Sequence, residues 1–319
     1  MFKLFEKESI IAYLFFSLLI FLIGLKVFFI GELNLDNEGS FLFNHLIDST
    51  SWNINVLKGL IFTILLFCFY FFSLLYKHFS YHSKAGLVFQ FVFGVNTLLA
   101  FIFPFSLEHV LVGFLFLVLS LSLIHTDQRK DTVANFFNLG FVFTVSIFIS
   151  SSMIFFLLPI IFALFIFGKS GFRDLLALII GFFSPLVILI SILVLVNLES
   201  VFIKLISSYF LVSYSLLSNW EWLLFGIALL SAFLTFPIVN SFTINTRKFY
   251  IYLFFCFLSV LSVYLLFNVA GNKAYFLVMI LASFYLLPFL FEIRSYRTKN
   301  FLLFFGLIMA FFATFVQFK

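Results

Sequence analysis

Charged side chains are scarce in this sequence. Asp, Glu, Lys and Arg make up 10% of its 319 residues, against about 25% in an ordinary soluble domain, which excludes a water-soluble globular class. Cysteine is nearly absent. Cys68 and Cys256 each lie inside an apolar run, with neither the pairing of a disulfide framework nor the spacing of a metal site, so both are expected to be buried packing residues. Proline and glycine are few, 5 and 14, which speaks against the broken helices of a transporter core. There is no phosphate-binding loop, dinucleotide turn, nucleophile elbow or zinc pattern. No linker, soluble domain or internal repeat divides the chain, so residues 1–319 are read as a single integral-membrane domain.

What fills the sequence is hydrocarbon. It is 64% hydrophobic, with a mean hydropathy of +1.24. Apolar runs of about 18 residues or more read as membrane spans, whereas a transmembrane β-barrel would show short alternating segments. The fold class is therefore an all-α, polytopic transmembrane helical bundle of about eleven spans, ten to twelve counting the doubtful segments. The first run, Ile10–Ile30, is too long for a signal peptide and reads as a retained anchor. The 58 Phe read as a compositional habit. The stretch from Phe136 to Phe167 is either one tilted helix or a hairpin of two short helices turning at Ser150-Ser151-Ser152. A 15-residue helix is only about 23 Å long, short of the roughly 30 Å hydrocarbon core. Glu199–Leu217 is amphipathic and reads as a helix lying in the interface, with Trp220 and Trp222 marking the aromatic belt.

Charge sets the expected orientation. With the N-terminus in the cytoplasm, thirteen of the eighteen basic residues and all five arginines fall in inside loops. Lys26, Lys58, Lys204, Lys273 and Lys319 are left outside. The net charge of +5 then reflects membrane topology, with no nucleic acid as partner. The expected place is the bacterial cytoplasmic (inner) membrane, multi-pass, with membrane lipid as the surrounding partner. His78, His82 and His125 fall in inside loops without metal spacing. Gln90, Asn96, Asn138 and Asn268 lie within or at the ends of spans, where interhelical hydrogen bonding is the default.

The longest polar interval is Glu32–Asn55, on the expected outer side. It holds Glu32, Asp36, Glu38 and Asp48, four of the thirteen acidic residues. Asp36 or Ser40 can cap a short interfacial helix over Ser40–Ile47, with Glu38 near its positive end. Phe41, Leu42, His45 and Leu46 would form the side resting on the membrane. The chemical alternative is that Asp36 or Glu38 acts as a general base towards an acceptor hydroxyl. Lys26, at the end of the first run, either snorkels to the surface or joins Lys58 in flanking the loop as a cation for a lipid phosphate. Glu108 and His109 share the outer face. They form either a solvated turn after Pro104 or a second acid and a phosphate contact. The candidate catalytic residues are thus Asp36, Glu38 and Glu108, and the candidate substrate-binding residues Lys26, Lys58, His45, His109 and Lys204. No cofactor is called for, and a divalent cation is left open.

The first outer loop, LNLDNEGSFLFNHLI, resembles that of the polyprenyl-phosphate-sugar-dependent glycosyltransferases, the GT-C superfamily. Those proteins cross the membrane once, then present an acidic residue followed by a short interfacial helix. The resemblance covers the topology of roughly the first 125 residues. It implies that Asp36 or Glu38 is the base, that Glu108 fills the place of a second outer acid, and that Lys26, Lys58 or Lys204 meets the phosphate of a polyprenyl-phosphate sugar donor. Many members use an outer Arg on that phosphate and carry a soluble outer domain, and this sequence has neither. The middle stretch, FFNLGFVFTVSIFISSSMIFFLLPIIFALFIF, is also similar to a family of bacterial polytopic inner-membrane proteins, a likeness that implies no activity. Two other functions fit the composition: a non-catalytic membrane subunit of an envelope assembly or secretion complex, with other membrane subunits as partners, and a transporter or flippase. The transferase further implies a lipid-accessible groove beneath the first outer loop with Asp36 or Glu38 at its rim.

Overall fold

The structure, a computed structural model, describes residues 9–30, 53–79, 86–101, 107–128, 132–167, 171–195, 219–266 and 275–315. Their regular structure is entirely helical, as hydrocarbon demands: peptide groups without water must bond within their own segment. The helices are α1 (Ile10–Leu25), α2 (Ile54–Phe79), α3 (Gly86–Ala100), α4 (Leu107–Gln128), α5 (Thr132–Ile149), α6 (Leu157–Phe167), α7 (Phe172–Leu195), α8 (Asn219–Val239), α9 (Ile244–Leu266), α10 (Tyr275–Glu292) and α11 (Tyr296–Phe315). Five are long and apolar enough to cross a membrane: Ile10–Phe29, Ile54–Leu75, Phe172–Leu195, Ile244–Ser262 and Tyr296–Phe315. Six further apolar helices are shorter. The chain is an all-α helical bundle, and these segments mark it as a membrane protein.

Aromatic contacts set the register. Phe16 of α1 meets Phe69 of α2 at 5.8 Å, and Phe28, just past α1, meets Phe62 at 5.8 Å. The two helices therefore run antiparallel. α3 returns beside α2, because residues 80–85 reach about 25 Å at most and α2 is roughly 39 Å long. α3 and α10 are antiparallel in turn: Phe89 meets Phe291, Asn96 Nδ2 donates to Ser283 Oγ at 2.8 Å, and Phe101 meets Phe276. At the centre Phe72 stacks on Phe93 at 4.5 Å and touches Phe284 at the same distance. Much of the phenylalanine thus does core packing, and much of the rest coats the outer face.

The polar side chains inside this core tie helices together. Tyr250 Oη donates to Phe284 O at 3.2 Å, and Tyr285 Oη donates to Tyr250 O at 3.1 Å. Thr235 Oγ1 donates to Tyr285 O, and Ser120 Oγ lies 3.4 Å from Tyr252 Oη. Asn96 plays the interhelical part expected of it. Cys68 and Cys256 are buried and free.

The stretch 136–167 is interrupted. Ser150 is extended (φ −144°, ψ 124°), a 3-10 turn follows over Ser151–Phe156, and α6 begins at Leu157. The flanking helices α5 and α7 lie parallel: Gly140 abuts Leu178 O, and four residues on Thr144 Oγ1 donates to Phe182 O at 2.7 Å. Parallel neighbours require α6 to return between them, which is the hairpin reading. The crossing is close because glycines meet there. A Cβ on Gly181 would strike Phe137 O, and one on Gly140 would come within 2.8 Å of Phe182 N. Ala177, Gly181 and Pro185 form the buried stripe of α7 at four-residue spacing, the small-residue pattern of packed membrane helices.

Candidate functional site at the first-loop end of the bundle

α1 does not finish as a plain helix. After Leu25 the backbone widens into a five-residue π turn, Lys26–Ile30. The Lys26 N–H donates to Ile23 O and Leu22 O. Single π turns of this kind are rare and frequent at functional sites. Lys26 is 0% exposed, so its side chain is sunk in the bundle and does not snorkel. The widened turn frees a carbonyl, and Lys58 takes it: Lys58 Nζ donates to Phe28 O at 2.9 Å. Beside this bond the rings of Phe28 and Phe62 meet. The half-buried Lys58 therefore fixes the start of α2 against the end of α1.

The far end of α11 packs on the same π turn, bringing the buried small residues Ala310, Ala313 and Thr314. α4 starts at this end too, because residues 102–106 allow only a short step from α3. Gly113 lies against Phe276 and Ile280 of α10. In the first turn of α4 Glu108 is 3% exposed and His109 5% exposed, so neither is a solvated turn residue. The positive end of the helix favours a carboxylate in that turn. α2 touches both the π turn and α4. Phe114 rests on Phe67 and Phe71, which places Glu108 and His109 within about two helical turns of Lys58 in depth.

Of the eight residues singled out in the sequence, four are thus placed at one end of the bundle: Lys26, Lys58, Glu108 and His109. Asp36, Glu38, His45 and Lys204 lie outside the described residues, as do both expected interfacial helices. Among the described residues no group of three or more His, Cys, Asp or Glu converges as a metal site. An ammonium, a carboxylate and an imidazole at the edge of hydrocarbon, next to the loop that holds Asp36 and Glu38, can bind an anion and move a proton. The described residues include a cleft of about 380 Å³ elsewhere, among Phe143 of α5, Ile160, Leu164 and Phe165 of α6, and Leu178 and Phe182 of α7. Its lining is wholly apolar and includes no residue of α1, α2 or α4. Sequence reasoning missed the π turn, which has no composition of its own. It also missed the Gly140–Gly181 crossing, whose signal was the spacing Ala177, Gly181, Pro185.

Comparison with protein-family models, curated proteins and solved structures found no match to this chain.

Proposed function

We propose that the chain is a membrane glycosyltransferase of GT-C type, moving a sugar from a polyprenyl-phosphate carrier to an acceptor hydroxyl on the outer side of a bacterial inner membrane. The observation that carries this reading is the burial of Lys26 at the π turn, at the same end of the bundle as the buried Glu108 and His109. A buried ammonium is expensive in a span and marks a functional position by default.

In this reading Asp36 or Glu38 takes the proton of the acceptor hydroxyl. The hydroxyl oxygen bonds to the anomeric carbon, and the bond from that carbon to the phosphate oxygen breaks. The charge left on the polyprenyl phosphate meets the Lys26 ammonium. Glu108 and His109 flank the phosphate or the sugar. Lys58, engaged with Phe28 O, positions the turn that carries Lys26.

The test is a deletion strain complemented with Asp36→Asn/Glu38→Gln and, separately, Lys26→Met, with glycoconjugates profiled by mass spectrometry. Loss of a glycan in both, at normal protein level, supports the transferase. An unchanged profile in both ends it. A second reading, a membrane subunit of an envelope assembly or secretion complex, draws on α7, whose apolar window is only 17% buried. It expects a stoichiometric partner on co-purification and no loss on neutralising Asp36 and Glu38.

A further inference from the structure

The opposite end of the bundle carries a concentration of positive charge that the transferase reading does not use. α8 and α10 run parallel and end together. Thr235 Oγ1 donates to Tyr285 O, and about one turn further α8 stops at Val239 and α10 at Glu292. The first turn of α9 lies at the same level, because Tyr250 bonds to both Phe284 and Tyr285. Two turns of the chain thereby meet, and between them they present Arg247, Lys248, Arg294 and Arg297, with Glu292 the one acid on the two.

The α10–α11 turn is built to hold its arginines in place. Lys299 is 8% exposed and folds back, its Nζ donating to Phe291 O at 2.8 Å and lying over the rings of Phe291 and Tyr296 at 5.9 and 5.6 Å. The Thr298 N–H donates to Ser295 Oγ at 3.4 Å. Across the way Arg247 Nη2 donates to Asn240 O at 2.7 Å. Arg294 and Arg297 remain exposed. Arg297 also heads a helical stripe at spacings of four and three: Phe301, Phe304, Ile308 and Phe311 are exposed by 66, 57, 49 and 56%. A cation thus sits above an apolar track long enough for an acyl chain.

We propose that Arg294 and Arg297 form a selective site for one anionic phospholipid, its headgroup phosphate on the two guanidiniums and its acyl chain along the α11 stripe. Guanidinium forks match phosphate oxygens in pairs. Basic residues at the membrane edge attract anionic headgroups. The site stands apart from the proposed transferase site and does not depend on it.

The experiment uses the full chain in bilayers with spin-labelled phosphatidylglycerol or phosphatidylcholine, comparing the fractions immobilised by the protein. The parent is expected to prefer phosphatidylglycerol, and the preference to collapse at 1 M salt, where screening acts over about 3 Å. Arg294→Gln/Arg297→Gln is expected to lose at least about fivefold of the preference, the equivalent of about 1 kcal/mol for a single basic residue. Arg294→Lys/Arg297→Lys is expected to keep most of it, which separates loss of charge from loss of fold. Arg173→Gln, an exposed arginine on α7, is expected to change it less than twofold. A double Gln variant that keeps the parent's preference overturns the site. An Arg173 variant that loses as much as the pair overturns it as well, leaving only a diffuse surface charge.

Discussion

Lys58 and Lys26 look alike in the sequence and do different work in the fold. The Lys58 ammonium is committed to the Phe28 carbonyl, so Lys58→Met should loosen the π turn. A hydrogen bond to a charged group contributes about 1.5–3 kcal/mol. Half-exposure brings this one to the low end, about 1 kcal/mol, read as a lower midpoint of thermal unfolding in detergent. Lys26 has no exposure at all. Lys26→Met, close in length and apolar, should leave that midpoint unchanged or raise it, because a buried ammonium costs more to desolvate than a thioether. A stable protein without activity would mark Lys26 as a residue kept for chemistry, whereas a collapse in stability would make it structural. Thr144→Val removes the hydroxyl bond across α5 and α7, worth about 0.6 kcal/mol by the average for such bonds in membranes.

At the level of elements, the pair α5–α7 depends on missing side chains. Gly181→Leu would drive a branched group into Phe137 O and force the helices apart, for a cost of at least 1–3 kcal/mol. It should also deform the apolar cleft, which the same three helices enclose. Thermal unfolding of the variant against Gly226→Leu checks this, since a Cβ at Gly226 would meet nothing within 4 Å. The apolar runs and the serines at 150–152 made most helices and the break between α5 and α6 readable in advance. A run of apolar residues with polar ends reports length and phase. It says little about which runs become neighbours, because every lipid-compatible face looks alike. That is why the parallel pairing of α5 with α7 and the antiparallel pairing of α3 with α10 came only with coordinates. The candidate site was half legible for a similar reason. Lys26 stood out as a charge inside an apolar run, and Glu108 and His109 as polar residues after Pro104. Their burial depends on how α4 is set against α2 and α10, which neighbouring letters do not encode.

For the whole molecule, the two ends of the bundle differ in what they carry: an acidic loop beside buried Lys26, Glu108 and His109 at one, arginine-rich turns at the other. The charge rule assigns the arginine-rich end to the cytoplasm. Because Cys68 and Cys256 are both fully buried, the chain needs no prior cysteine removal for labelling in intact cells. A cysteine at Asn53 should react with a membrane-impermeant thiol reagent added outside, and one at Ser295 only after permeabilisation. The reverse pattern would invert the orientation and move the proposed chemistry to the other compartment.

A π turn is a helix holding one amino acid more than its hydrogen bonds can count. Each residue of an α-helix advances the chain by about 100°, so deleting Val27 should let α1 run on smoothly while swinging everything after it by that angle. The trimmed protein would be expected to insert and fold. The loop beyond residue 30 would then leave the membrane from a different side of the helix, and Lys58 would find no stray carbonyl to hold.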